Sequence, residues 1–415
     1  MNAQPQPVPE QSAATDIFIA RQPIYDRQVE VYAYELLFRD GEGNFALVAD
    51  GEAATTRVIG NAFTEMGLEA IVDNRLASIN VTRRFILDSQ MPPLAPERMV
   101  LEILEDVEVD DQLVAGVQRF KRQGYTIALD DFTFTDAVKP LLEVADIVKL
   151  DVRQHDPAAL EGQLRLLLPY GKKLVAEKVE SYEEFEACKL LGIDYFQGDF
   201  FCKPKILRQR AIPSNKLAQL KLIAQLNSDD SDFDEVEKLI TRDVGLSFKL
   251  LRYINSAFFS LPQKVGSVRQ AMVLLGLQAI KRWSTLLVMA GVDDKPHELI
   301  VTALMRARMC ELLSPSQVQR EHEEHFTVGM FSVVEALMDA PMEKILGSLP
   351  LSDELKIALS EQEGPKGRVL GAVLAFESGD FQKLVELAPR IGVSVQDAYN
   401  QAVAWASEAS RELER

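Results

Sequence analysis

The feature that most narrows the fold is a ladder of polar residues, each ending a short apolar run: Asn80, Glu102, Asp130 with Asp131, Lys149, Glu177 and Gln197. The runs read LASIN, MVLEI, TIALDD, IVKLD, LVAEK and YFQG, and about 20 to 30 residues separate successive polar ends. Such a run is a strand buried on both faces, and a gap of that length holds an amphipathic crossover helix. Repeated along the chain, the pattern predicts a β/α barrel whose polar ends gather at one rim. Chemistry is expected there.

Ahead of the ladder, IFIARQPIYDRQVEVYAYELLFRD alternates around a polar Asp26-Arg27-Gln28 turn and predicts a β-hairpin. Asp50 through Met66 carries helical spacing. The ladder runs from about Leu76 to Lys203, where Pro204 and the basic KILRQR segment end it. Beyond Pro213 the periodicity is almost wholly helical. In DVGLSFKLLRYINSAFF, Leu246, Leu250 and Ile254 share one face, with Val244 beginning the stripe near an Asp243 cap. Ser267 and Gln270 form a capping-box pair before VRQAMVLLGLQAIKRW, which breaks at Gly276, and Asn255 with Ser256 caps or bends the preceding helix end. Trp283 and the Leu-rich stripes read as core, and amphipathic segments follow at 297–314, 326–340, 353–361 and 366–408. At 415 residues the chain exceeds what one core organises. The expected division is a disordered tail at 1–16, a barrel at 17–208 and an all-helical domain at 209–415.

A net charge of -18 argues against direct nucleic-acid binding and against anionic membranes, which are held by clustered Lys and Arg. The longest apolar stretches, such as Leu286 to Val292, fall short of the roughly 18 residues that span a bilayer. The first 15 residues have neither the basic start nor the apolar core of an export signal. Cys188, Cys202 and Cys310 form no CxxC pair and fit a reducing cytoplasm.

With Glu35 of the ELL segment at the rim, five carboxylates (Glu35, Glu102, Asp130, Asp131 and Glu177) share a volume with Asn80 and Gln197. Two carboxylates 4 Å apart repel by about 4 kcal/mol at an effective dielectric of 20, so cations or protons must compensate. The donors are all oxygen, with no His or Cys at a strand end, which favours Mg²⁺ or Mn²⁺ over Zn²⁺. The adjacent Asp130-Asp131 pair suits two neighbouring ions, the arrangement that clamps attacking and leaving oxygens in phosphoester cleavage. Lys149 is expected beside the ions, its pKa depressed by their charge, where it orients or deprotonates the attacking water. Arg39, four residues past Glu35, offers a planar fork to a phosphate. A rival reading makes Glu102 and Glu177 the acid and nucleophile of a glycosidase, but it leaves Lys149 and the Asp pair without a role. His322 and His325 in EHEEH have metal-like i, i+3 spacing, yet read as a solvated acidic helix face.

These residues resemble the EAL domain family of cyclic di-GMP phosphodiesterases over about Ile17 to Pro204. The likeness lies in ELLFR at Glu35 to Arg39, where the family has EAL-x-R, INV around Asn80, and LEILE with Glu102 and Glu105. It continues in DDF at Asp130 to Phe132, VKLD around Lys149, AEKVE from Ala176 and QGDFFCKP from Gln197. The resemblance implies a barrel with an altered first strand and two metals held by Glu35, Asn80, Glu102, Asp130, Asp131 and Glu177. It further implies Lys149, Glu35 and Glu177 as catalytic residues, Arg39 and Gln197 on the substrate, and hydrolysis of cyclic di-GMP to linear pGpG. In the family the loop after DDF reads Gly-Thr-Gly-Tyr-Ser-Ser and is anchored by the glutamate matching Glu105. Here it is Thr133-Phe134-Thr135-Asp136, whose Thr and Phe resist positive φ. Asp199 replaces the Tyr of QGY and is expected to add negative charge near the ligand.

Residues from about Ile212 to the mid-300s resemble an HDOD domain, a helical module similar to metal-dependent HD phosphohydrolases without their ligands. Ser332 and Val333 stand where the His-Asp dipeptide would be. The two resemblances together imply a cytoplasmic signalling protein that acts in motility or biofilm control. Its HDOD domain would bind an unnamed protein partner, and a homodimer is allowed. Two readings stay open: a phosphodiesterase, slow or regulated, and a catalytically inactive cyclic di-GMP sensor or scaffold.

Overall fold

The computed structural model describes residues 17–40, 71–87, 95–154, 157–203, 214–228, 231–292, 295–387 and 394–414. The expected tail at 1–16, the Asp50–Met66 helix, the KILRQR stretch and the boundary at 208 lie outside the described residues, as does the side chain of Arg39.

Eight strands close into a barrel in chain order: β1 Ile17–Tyr25, β2 Val31–Asp40, β3 Leu76–Val81, β4 Met99–Ile103, β5 Thr126–Leu129, β6 Ile147–Asp151, β7 Lys173–Glu177 and β8 Tyr195–Gln197. β1 runs antiparallel to both β2 and β8, and all other neighbours are parallel. The expected hairpin is therefore the altered start of the barrel. Its turn is tied by Asp26 Oδ1, which accepts the N–H groups of Gln28 at 2.8 Å and Glu30 at 3.0 Å. The hairpin sets Gln22 opposite Glu35. β4 and β6 are buried at every position, as strands covered on both faces must be.

Period-two alternation then stacks the interior in layers. Ile24, Ala33, Val100, Ala128, Ile147 and Val175 form one apolar cluster. Two residues further toward the mouth on the same strands stand Gln22, Glu35, Glu102, Asp130, Lys149 and Glu177. An apolar plug thus floors a polar layer. Gly198 closes the rim after β8 with φ +146°, where a Cβ would meet the Val179 carbonyl oxygen at 2.0 Å, so only glycine lets the β7 and β8 loops approach this closely.

The helical half begins with Ser214–Leu226, Phe233–Arg242, Val244–Ile254, Val268–Leu275 and Leu277–Ala290. Its centre is His297–Leu312, buried along nearly its whole length between Gln319–Phe331 and Val395–Glu414. Asp243 caps its helix through the Leu246 N–H at 2.9 Å, and Leu246, Leu250 and Ile254 are buried as expected. Val244 is not part of that stripe and stands 79% exposed, because stepping back four residues from Leu246 leads to Arg242 instead. Ser267 accepts the Gln270 N–H at 3.2 Å, while the Gln270 side chain takes the N–H of Gly266 at 2.9 Å. Gly276 breaks the next helix with φ +86°. Asn255 bridges its helix end to the following loop, pairing with Val265 N at 2.7 Å and Val265 O at 2.8 Å. Trp283 packs among Tyr253, Phe258, Phe259 and Trp405, joining early helices to the last.

The EHEEH segment is not a solvated face. His325 is 2% exposed, and its Nδ1 meets the Glu321 carbonyl at 2.7 Å, while His322 Nδ1 meets the Glu311 carbonyl at 3.0 Å. The acid-rich sequence hides the fact that this turn packs inward. Ser332 Oγ donates to the Gly329 carbonyl at 2.7 Å, and Val333 is core. Among the described residues no helix is long and apolar enough to cross a membrane.

The helical half packs on the β1–β2 side of the barrel. Tyr34 donates its hydroxyl proton to Glu298 at 2.9 Å, the Arg21 N–H donates to the Tyr399 hydroxyl at 3.0 Å, and the Arg21 guanidinium lies 4.4 Å from the Tyr34 ring centroid.

Candidate metal centre

The polar ends of the strands converge on Lys149. Its Nζ lies 2.6 Å from Glu102, 2.8 Å from Glu177, 3.0 Å from Asp130 and 3.1 Å from Glu35, and the residue is 1% exposed. Asn80 Nδ2 donates to Glu35 Oε1 at 3.0 Å, and Gln197 Nε2 donates to Glu35 Oε2 at 2.8 Å. Four carboxylates thus surround one ammonium. Asp131 follows Asp130 in left-handed backbone, φ +42°, and its nearest cation is Lys178 at 3.9 Å.

This charge imbalance is written into the acidities. Burial would raise Glu35, but Lys149 and the amide donors of Gln197 and Asn80 outweigh it and hold the carboxyl below its ordinary pKa. Burial, followed by the charge of Glu35, drives Glu102 well above the carboxylate range. Burial lifts Asp130 against the pull of Lys149, and Glu177 is pushed up to about 8, again by burial first. Burial alone would depress Lys149, yet Glu102, Glu35, Glu177 and Asp130 carry its pKa well above the ordinary lysine value. The carboxylates thus act on Lys149 in the direction opposite to the depression expected from neighbouring cations.

The donor set fits hard divalent cations. Every strand-end ligand is oxygen, and several buried acceptors have no hydrogen-bond partner: Asn80 Oδ1, Asp131 Oδ1 and Gln197 Oε1. Buried acceptors left open in this way call for an ion or ordered water. Among the described residues no three acidic, His or Cys side chains frame a ready-made ion cage. Four of the carboxylates instead share the Lys149 ammonium.

Two residues of the site escaped sequence reasoning. Ser78, fully buried on β3, donates a very short hydrogen bond to Glu102 Oε1. Its signal was available, since it precedes Asn80 by two and faces the same way. Gln22 Oε1 accepts from Gln197 Nε2 at 3.1 Å, and the hairpin register opposite Glu35 was its signal.

Other expected positions fall elsewhere. Glu105 is exposed on the turn after β4, and among the described residues no hydrogen bond or ion pair ties it to the 131–138 loop. That loop is pinned by other groups: the Phe132 N–H donates to the Lys149 carbonyl at 3.0 Å, the Phe134 N–H to Gln163 at 3.3 Å, and the Phe134 ring packs 6.2 Å from Tyr170. Asp199 borders a small cavity shared with Arg306 and Glu377, so its charge bears on the helical half rather than on the carboxylate ring.

Comparison with known proteins agrees with the two-part architecture. Residues 74–204 match the EAL domain and residues 212–339 the HDOD domain. Over 402 residues, 95% of this chain and 93% of the relative, the sequence is 33% identical to "Cyclic di-GMP phosphodiesterase CdgJ" of Vibrio cholerae serotype O1. This chain belongs to the EAL–HDOD family. It is also 31% identical, over 94% of its length and 98% of the relative, to the uncharacterized protein YuxH of Bacillus subtilis. Among solved structures, a standalone EAL protein of Vibrio cholerae O395 in its c-di-GMP-bound form aligns with 24% identity and a TM-score of 0.36, over 47% of this chain and 94% of that one. The eight-stranded barrel of this EAL–HDOD protein falls in its EAL half, and the described residues after Ser214 are helical.

Proposed function

We propose that the protein is a cytoplasmic cyclic di-GMP signalling protein whose barrel, taken as residues 17–208, uses two Mg²⁺ or Mn²⁺ ions to hydrolyse one phosphodiester of cyclic di-GMP. The observation that carries this reading is the excess of buried acceptors, four carboxylates about one ammonium with open oxygens on Asn80, Asp131 and Gln197. Glu35, Asn80, Glu102, Asp130, Asp131 and Glu177 would hold the ions. Bound there, the cations supply charge stabilisation to phosphoryl oxygens and lower the pKa of water.

The chain's own residues do the rest. Arg39 offers two parallel N–H groups to a substrate phosphate, and Gln197 holds the substrate side of the rim. Lys149, a buried donor between Glu35 and Glu177, orients the attacking water. Addition of water at phosphorus breaks one P–O3′ bond, and the released oxygen takes a proton to give linear pGpG. The helical half, taken as 209–415, carries no chemistry in this scheme and serves a protein partner.

A second reading, binding without turnover, is favoured by the exposed position of Glu105 and by the separate pinning of the 131–138 loop. Incubation of the purified chain and Mn²⁺ with cyclic di-GMP separates the two. The hydrolytic reading expects pGpG above a Glu35→Ala control; calorimetric binding of cyclic di-GMP with no pGpG would replace it with a sensor.

A further inference from the structure

We propose that Gln22 is a positioning residue of the barrel-mouth site and that the helical half fixes its orientation. Gln22 occupies the same interior layer as Glu35, Glu102, Asp130, Lys149 and Glu177, reached from the opposite chain direction because β1 is antiparallel. The Gln197 amide nitrogen lies between two acceptors, Glu35 Oε2 at 2.8 Å and Gln22 Oε1 at 3.1 Å. An amide nitrogen has two protons, so both are spent there and Gln197 Oε1 remains open toward other partners. A half-turn of the Gln197 amide would set oxygen against the Glu35 carboxylate.

The polarity of this relay is settled outside the barrel. Gln22 Nε2 donates to the main-chain carbonyl of Glu377 at 3.5 Å, and a carbonyl can only accept. Glu377 ends the helix Gly364–Glu377, where intrahelical bonding leaves carbonyls without partners. Carbonyl, Gln22, Gln197 and Glu35 are therefore linked in series from the helical half to a candidate metal ligand, with Gln197 Nε2 donating to both Gln22 and Glu35. The Glu377 side chain is itself held by Arg306 at 2.8 and 2.7 Å. Strand neighbours are gripped as well, Arg21 by Tyr399 and Tyr34 by Glu298. A cavity of about 50 Å³ adjoins Gln22, Tyr34, Glu298 and Arg306, and the two hydrogen bonds of the Gln22 amide, to Glu377 and Gln197, hold it there.

The inference rests on the metal-site reading above, but not on hydrolysis. Calorimetric titration of Mn²⁺ into the full-length chain tests it. Gln22→Met, similar in size and without amide atoms, should weaken Mn²⁺ binding about tenfold, the usual cost of losing a partner that orients a metal ligand. Its melting temperature is measured alongside, and Gln22→Asn carries the same comparison should the Met variant fail to fold. Combining Gln22→Met with Gln197→Met should weaken binding no further than the worse single change, since both break one relay. Arg306→Gln, which loosens the helix end, should weaken Mn²⁺ binding in the parent and add nothing to Gln22→Met. A folded Gln22→Met that binds Mn²⁺ like the parent overturns the role of Gln22. Equal effects of Arg306→Gln in both backgrounds remove the helical half from the relay. A parent that binds no Mn²⁺ overturns this inference with the site reading, whereas one that binds Mn²⁺ but forms no pGpG overturns only hydrolysis.

Discussion

Buried charge occurs in both halves of the molecule, and the two cases are mirror images. In the helical half, Asp339 is a single carboxylate between two ammonium groups, Lys216 at 2.5 Å and Lys295 at 2.6 Å, all three almost wholly buried. In the barrel, Lys149 is a single ammonium among four carboxylates. In the first cluster each Asp339 oxygen takes one ammonium, which ties the Ser214–Leu226 helix to the segments around residues 295 and 339. The second is short of positive charge and leaves buried oxygens open. Burial of charge therefore does not mark a site; buried acceptors left open beside it do.

The comparison can be broken at its structural end first. Asp339→Ala removes the carboxylate that both buried lysines contact and should cost about 3–5 kcal/mol, read as a lower urea midpoint that Mn²⁺ does not restore. Recovery of stability on adding Mn²⁺ would erase the distinction between the clusters. Lys149→Met removes the cation from the barrel cluster and should cost about 2 kcal/mol without metal, less than the first change because Glu102 and Glu177 can hold protons. Here Mn²⁺ should restore stability, since it supplies the missing charge. A variant insensitive to Mn²⁺ would make the barrel cluster structural too.

The pH dependence gives the smallest and sharpest contrast. Glu177 has its folded pKa raised to about 8, so between the unfolded value near 4.5 and about 8 the folded state binds more protons. Metal-free stability should fall as pH rises through that window. Mn²⁺ must displace the same proton, so its affinity should climb through that window, about tenfold per pH unit for each proton released. Calorimetry in buffers of different ionisation enthalpy counts those protons. An affinity flat from pH 6 to 8 would mean that Glu177 does not take part.

How much of this was legible in the chain follows the same divide. The barrel could be read because each strand announces its end with a polar residue after an apolar run, as Glu102 and Lys149 do. Gln22 and Ser78 carried weaker signals, since a lone polar residue inside a strand acquires meaning only once register and facing are known. Val244 was assigned to a buried face because it is apolar, although its helical phase places it outside. His325 was assigned to solvent because its neighbours are acidic, although its turn packs inward. The contacts of Tyr34 with Glu298 and Gln22 with Glu377 had no local signal, because they join residues hundreds of positions apart in the chain.

The most direct test of the central claim is the stoichiometry of Mn²⁺ binding at pH 8 in the full-length chain and in Glu35→Ala. The account predicts two ions bound per chain, and loss of at least one of them when Glu35 is removed. Binding of no Mn²⁺, or binding untouched by Glu35→Ala, would contradict it.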